Sequence, residues 1–366
     1  MKKILFHLVS LEQGGTERVV TNLANYLSKN GYSVVVTTQW EGKKEFVLEE
    51  QVKRIHVGAD KKAGRIRKAC DRVINLRQAI KDEKPDVVIS FLKKSNYRAL
   101  LATMGTSIPN IIAVRNDPMA DHVSISDKVL IPLLYSRAEG AVFQTEQQKE
   151  FFSEAIQKRA EVILNPVNSK YLLAEAPEKK EKVVVHSGRL VQFKNHAMLV
   201  RAFVKVHEKH PEYKLFLYGR DTKDGTREKV EALISENNAT EYIKLMGSSN
   251  ELEKLIPQAE IYVLSSDYEG MPNALIEAMV MGMPVVSTDC PCGGPGVLIK
   301  HEENGLLVPV RDEKVMASSI CRLIENPDFA RMLGKNASKL AERVNEDAIA
   351  GQWKEYIERI ITQNGN

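Results

Sequence analysis

Cysteine is scarce: the 366 residues hold four, Cys70, Cys290, Cys292 and Cys321. So few, so irregularly spaced, exclude a disulfide framework, and Cys290-Pro291-Cys292 has neither a metal-ligand nor a redox spacing. Long apolar runs are missing too. No stretch of about 18 uncharged apolar residues occurs, which excludes a membrane-spanning helix. The N-terminal run Lys3–Val9 turns polar at Ser10, too soon for a secretory leader, and reads as a buried first strand of a cytoplasmic protein. Aromatic residues are 6% of the chain. No basic stretch is interleaved with them, so nucleic acid is not an expected partner. There is no Asp-x-Asp, and the eight histidines include no ligand-like pair. His207 and His210, three apart, read as surface residues at a helix C-terminus. Neither a metal nor a cofactor is expected.

What remains is a soluble balance of 43% apolar and 27% charged residues, long enough for two domains. The net charge of +4 is uneven: residues 1–170 carry 27 basic and 19 acidic groups, residues 171–366 carry 25 and 29. A basic half joined to an acidic half suggests that one domain meets an anionic surface or substrate. Short β-branched runs alternate with helix-period segments, the mark of βαβ units around parallel sheets. The first series is Lys3–Val9, Ser33–Thr38, Val87–Phe91, Ile111–Val114 and Gly140–Gln144. The second is Lys182–Ser187, Lys214–Tyr218, Ile243–Met246, Ile261–Ser265, Pro284–Thr288 and Gly305–Val308. Between them, Asn165-Pro166-Val167-Asn168 and the polar run Glu175–Lys182 read as a linker, with the hinge near residues 166–180. The expected architecture is α/β, two doubly wound parallel-sheet domains with ligands at the C-terminal strand ends and, with those ends facing, an interdomain cleft as the site.

Two constellations carry chemistry. Ser187-Gly188-Arg189 follows a strand directly, and Lys194-Asn195 follows at the start of the next helix. Two fixed cations there suit a diphosphate, though a solvated surface pair reads the same way in isolation. In the second, Glu269-Gly270-Met271-Pro272-Asn273 leads into a helix containing Glu277. Pro272 suits the first helical position, and the backbone N–H groups of residues 271–274 would form an anion site. Glu269 and Glu277 are acceptor-only groups matched to sugar and ribose hydroxyls. A helix-capping carboxylate and an ordinary exposed glutamate are the plain alternatives.

Taken together these segments resemble the retaining glycosyltransferases of family 4, which have two facing Rossmann-like domains of the GT-B type. The likeness rests on Gly14-Gly15-Thr16-Glu17-Arg18, Gly188-Arg189 with Lys194-Asn195, the pair Glu269/Glu277, Gly282–Thr288 and Asn304–Pro309. It covers nearly the whole chain. The resemblance implies an acceptor-binding domain over residues 1–168 plus the C-terminal helix 347–366, and a donor-binding domain over 178–345. Arg189 and Lys194 would hold the diphosphate of a uridine-diphosphate sugar and stabilise it as leaving group. Glu277 would bond the ribose, and Glu269 the donor sugar. Gly270, Met271, Pro272 and Asn273, with the Gly14-Gly15 loop, would approach phosphates and sugar, and Ser248 in Met246-Gly247-Ser248 would lie beside the base. The implied reaction is metal-independent front-face transfer of a hexose or N-acetylhexosamine to a glycan, lipid-linked or capsule-type. A nucleotide-sugar epimerase of the same architecture and a non-catalytic donor-binding subunit are the alternatives.

Three expectations are more local. Many relatives place a histidine where this chain has Val114-Arg115-Asn116-Asp117-Pro118, so Arg115, Asn116 or Asp117 contacts the transferred sugar, or the segment is only a turn. Lys61–Lys81 contains eight basic residues and one acid. Lys61, Arg65, Lys68 and Arg72 fall within about 60° on a helix, beside an apolar stripe of Ile66, Cys70, Val73 and Ile80. This edge reads as a docking strip for an anionic membrane surface or an acceptor diphosphate, or as a solubilising face. The terminal helix, Asp347–Ile361, carries Ile349, Trp353, Tyr356, Ile357 and Ile360 on one face and is expected to pack on the first domain, with Trp353 as anchor.

Overall fold

A computed structural model of the protein describes residues 1–12, 14–122 and 124–364. The chain forms two compact units, Met1–Pro166 with Glu346–Asn366, and Val167–Asn345.

In the first unit, β1 (Lys3–His7), β2 (Ser33–Thr38), β3 (Lys53–His56), β4 (Val87–Phe91), β5 (Asn110–Ala113), β6 (Gly140–Phe143) and β7 (Ala160–Val162) form one sheet in the order β3-β2-β1-β4-β5-β6-β7. Every pairing is parallel. Val87, Val88, Ile89, Ser90 and Phe91 are all buried, as expected where helices cover both faces of a strand. The order reverses between β1 and β4, the switch point at which doubly wound sheets leave a crevice. Of the helices, α1 (Gly15–Lys29), α2 (Arg65–Glu83) and α3 (Lys93–Ala102) matter most here. Leu76, Ala79 and Ile80 of α2 and Ala99 and Ala102 of α3 pack with Leu5, Val35 and Val88 beneath them.

The terminal helix Glu346–Asn364 belongs to this unit. Trp353 is fully buried, 5.7 Å from the Phe91 ring. The Tyr356 hydroxyl accepts from Ala141 N at 2.8 Å. A Cβ on Gly140 would lie 2.5 Å from that hydroxyl, so β6 must begin with glycine for the helix to seat.

The second unit holds β8 (Glu181–Ser187), β9 (Lys214–Tyr218), β10 (Ile243–Gly247), β11 (Ala259–Leu264), β12 (Val285–Thr288) and β13 (Leu306–Val308). They are parallel in the order β10-β9-β8-β11-β12-β13, so this switch point lies between β8 and β11. Its core joins Val184, Leu215, Ile261 and Val286 to Phe203, Met316 and Ile320.

Several local expectations need correction. β3 and β7 were not expected: Lys53-Arg54-Ile55-His56 and Ala160-Glu161-Val162 are edge strands, whose exposure lets polar residues replace an apolar run. The helical pattern of the sequence over Asp328–Val344 predicts one helix, and the structure forms two, Pro327–Ser338 and Ala341–Val344. Lys61 precedes α2, so it is not on the basic helical edge. Nor are Ile66, 82% exposed, and Cys70, exposed, part of a buried stripe. The buried face of α2 is Leu76, Ala79 and Ile80.

Candidate active site

The exits of β8 and β11 are bolted together. Gly188 follows β8, and a Cβ on Gly219 would fall 1.9 Å from the Gly188 carbonyl oxygen, so only glycine permits the β9 exit to pass. The Arg189 side chain is exposed and makes no hydrogen bond or ion pair among the described residues, while its carbonyl oxygen accepts from Val191 N at 2.9 Å. Gln192–Lys194 is a single 3-10 turn. Lys194 therefore sits on that turn and not at the start of the helix His196–Lys209. Asn195 takes a left-handed conformation (φ 47°), which asparagine tolerates better than most residues. Its side chain accepts from Met198 N at 3.1 Å, capping the helix, and donates to Asp267 Oδ1 at 2.7 Å.

Three further contacts join the two loops. Ser265 Oγ donates to Lys194 O at 2.9 Å, Asp267 N donates to Phe193 O at 2.7 Å, and the Phe193 and Tyr268 rings stack at 4.8 Å. Arg311 holds the other Asp267 oxygen at 2.8 Å. Lys194 Nζ is thereby fixed 2.5 Å from Glu269 Oε1, an oxygen that also accepts from Ser266 Oγ at 2.6 Å. The two side chains are only 11% and 10% exposed, so water screens the pair little.

Past Glu269, a Cβ on Gly294 would lie 2.0 Å from the Gly270 carbonyl oxygen, so the loop and the segment after β12 meet backbone to backbone. Pro272 is the N-cap of the helix Asn273–Val280, with no side-chain cap bond. It does not occupy the first helical position expected from sequence. A helix start without a capping side chain keeps its positive end available for an anion. Glu277, on this helix, is buried. Met271 is buried, and Gly270 and Asn273 are half-buried.

Beneath Lys194 lie two buried imidazoles, His186 and His196, with ring centroids 4.8 Å apart. His186 Nδ1 donates to Val263 O at 2.8 Å. Burial and the nearby His196 hold its pKa well below the usual 6.5. Burial and the Lys194 charge lower that of His196 to about 4. Both are neutral floor residues under a cation. Sequence reasoning did not assign roles to Asn195, Ser266, Asp267, Arg311 or these histidines. Of these, Asn195 and Asp267 belong to the motifs around Lys194 and Glu269, and the others carry no spacing signal.

The family model described as Glycosyl transferases group 1 matches residues 171–340, and that described as Glycosyltransferase Family 4 matches residues 13–171. The chain belongs to glycosyltransferase family 4.

This glycosyltransferase is 27% identical to an α-1,4-N-acetyl-D-galactosaminyltransferase of Campylobacter jejuni named for the acceptor GalNAc-α-(1->4)-GalNAc-α-(1->3)-diNAcBac-PP-undecaprenol, over 98% of this chain and 99% of the relative. It is 26% identical to that organism's N-acetylgalactosamine-N,N'-diacetylbacillosaminyl-diphospho-undecaprenol 4-α-N-acetylgalactosaminyltransferase, over 98% of this chain and all (100%) of the relative. The crystal structure of Anabaena HepE in complex with UDP and glucose shares the fold, with a TM-score of 0.85 at 20% identity, covering 98% of this chain and 100% of that one.

The remaining candidates in the transferase are placed as follows. Ser248 is exposed after β10, beside Gly247 at φ 74°. Gly14 is the N-cap of α1 and Gly15 its first residue; a Cβ on Gly14 would collide with Glu17 Oε2 at 2.3 Å. Arg115 is buried between Phe91 and Trp353, 5.2 and 5.5 Å from their centroids, and donates to Asn165 Oδ1 at 2.8 Å. Asn116 is exposed. Asp117 is buried and caps the short helix Pro118–Asp121 by accepting from Met119 N. His207 stacks on Tyr242 at 3.5 Å. His210 joins Cys321 and Glu325 in a group whose ligand-type atoms lie within 4.8 Å of one another, a grouping that the sequence spacing did not reveal.

Proposed function

We propose that this transferase moves a hexose or N-acetylhexosamine from a UDP-sugar to a lipid-linked or exopolysaccharide-type glycan, with retention of configuration and without a metal. The carrying observation is the second unit's switch point: an exposed unpaired Arg189, an enclosed Lys194–Glu269 pair and an uncapped helix start converge there. Arg189, Lys194 and the N–H groups opening the helix Asn273–Val280 take the diphosphate. Their charge stabilises it as it leaves, usually the largest catalytic term. Glu269 meets the sugar hydroxyls with Lys194 alongside, Glu277 the ribose, and Ser248 the base. The acceptor hydroxyl attacks on the face from which the diphosphate departs, and a diphosphate oxygen takes its proton. The first unit, with the Gly14-Gly15 loop and the Arg115–Asp117 segment, serves the acceptor and the transferred sugar.

The acceptor class draws on the two Campylobacter relatives, named for undecaprenol-linked acceptors. The donor base draws on the UDP in the HepE complex. Arg65 and Lys68, on α2, supply peripheral contact with an anionic membrane surface at the cytoplasmic face, each worth about 1 kcal/mol there.

A melting-temperature panel of nucleotide sugars, repeated as turnover with and without acceptor, tests the reading. UDP-sugars should raise the midpoint by mass action, and turnover should need acceptor. Conversion of the nucleotide sugar without acceptor would make the protein an epimerase, and no turnover of any donor would make it a binding subunit.

A further inference from the structure

The first unit has its own switch point, between β1 and β4, and charged and polar groups collect there without partners. β1 ends at His7 and α3 opens just after β4. Ser95 and Arg98, one turn apart on α3, lie on the side that packs against α2. The two helices run alongside each other, as Arg77 of α2 shows by donating to Ala102 O and Met104 O at 3.2 and 2.8 Å. One turn or so before Arg77, Arg72 lies near enough to Arg98 for its charge to act on that guanidinium. Arg72 Nε, Ser95 Oγ, Arg98 Nη1 and His7 Nε2 are all enclosed, and none has a hydrogen-bond partner among the described residues. Ser95 and His7 have no exposed surface at all. No carboxylate pairs with either arginine among the described residues.

Such a grouping is unfavourable on its own. An enclosed donor without a partner is destabilising, and two neighbouring guanidinium charges repel. Burial and the Arg72 charge lower the Arg98 pKa to about 10. Folds keep such arrangements where a ligand completes them. Two guanidinium forks and a hydroxyl donor match the oxygens of a phosphate. His7 adds a different group. Thr37 Oγ1 donates to Phe6 O at 3.0 Å, so it accepts from His7 Nδ1 at 3.0 Å. Burial and Arg98 hold the ring neutral, its pKa about 3. Nε2 therefore presents a lone pair, which suits a hydroxyl.

We infer that Arg72, Ser95 and Arg98 form an anion site for the phosphate or diphosphate of a sugar-linked diphosphate acceptor, with His7 receiving a hydroxyl of that ligand. The inference rests on the acceptor-binding role proposed for the first unit and gives it a chemical class. Arg72 thus turns inward to the site, which leaves Arg65 and Lys68 for the membrane surface.

The test is binding of inorganic diphosphate, and of a short prenyl diphosphate, to the full chain with and without saturating UDP. The unmodified protein should bind both ligands with UDP present. Arg98→Gln and Arg72→Gln should each weaken that binding roughly 10- to 100-fold, the range for one lost charge-assisted bond. UDP affinity should not change. Because each arginine is held beside a like charge, Arg98→Gln should leave the ligand-free melting temperature equal or higher.

Several results would overturn the inference: undiminished diphosphate binding in both variants, or loss of that binding when UDP is added, which would assign the cluster to the donor. A clear fall in the ligand-free melting temperature of Arg98→Gln, reversed in Arg98→Lys, would show a structural role instead. So would reduced attachment of the variants to phosphatidylglycerol vesicles with soluble diphosphate binding intact, by showing a membrane contact. Failure of the unmodified protein to bind UDP would sink the proposed donor, and the diphosphate measurement without UDP would still decide this site.

Discussion

Lys194 and Arg189 share a proposed task but differ in surroundings, and substitution should separate the two. Lys194 neutralises a carboxylate about nine-tenths enclosed, whereas Arg189 stands exposed. Either change to Ala should lower turnover by roughly 10²–10³, the range for losing one preorganised charge-stabilising group. Only Lys194→Ala should also destabilise, by about 3 kcal/mol, because Glu269 is left unpaired. Turnover and thermal unfolding of both variants check this, and near-normal turnover in both would remove the cations from the mechanism. The histidines give a pH signature. His7 and His196 bind protons less readily folded (about 3 and about 4) than unfolded, where the value is near 6.5. Their contribution to stability is complete above about pH 6.5 and is lost as pH falls toward about 4 for His196 and about 3 for His7. Melting temperature should therefore drop on acidification through that window. His196→Asn should flatten part of the drop; an unchanged profile would mean the ring is not held neutral.

At the scale of elements, α2 is where charge and packing are least entangled. Its buried face is confined to the C-terminal half, with Leu76, Ala79 and Ile80, so Arg65 and Lys68 can be reversed without touching the core. Arg65→Glu with Lys68→Glu should reduce attachment to anionic liposomes and leave donor affinity and folding unchanged; equal liposome binding would reduce this edge to a solvated face. The same helix shows what a sequence conveys and what it withholds. Its span was legible from periodicity, but Ile66 looked like core and is exposed, because position along a helix decides burial as much as face does. The second unit's strands were legible as apolar runs, since both faces of a parallel sheet are covered. β3 and β7 were not, being polar or short edges. In the site, strand-end glycines and charges marked Arg189, Lys194 and Glu269. Of its supports, Thr288, whose Oγ1 donates to Ser266 O at 2.6 Å, ends the legible strand Pro284–Thr288, whereas Arg311 comes from a distant segment with no local signature.

Across the whole molecule, each unit places guanidinium groups without a carboxylate partner among the described residues at its own switch point. The second unit gathers Arg189, Lys194 and an uncapped helix start; the first gathers Arg72 and Arg98. The basic excess of residues 1–170 read from sequence is thus partly concentrated where a doubly wound sheet leaves its crevice. The central claim is that these groups serve retaining, metal-free glycosyl transfer. Its most direct test is proton NMR of a reaction containing an α-linked UDP-sugar, a prenyl-diphosphate-linked glycan and excess EDTA. The account predicts UDP released in step with a new α-linked anomeric proton. A β-linked product, or no product until a divalent metal is restored, would contradict it.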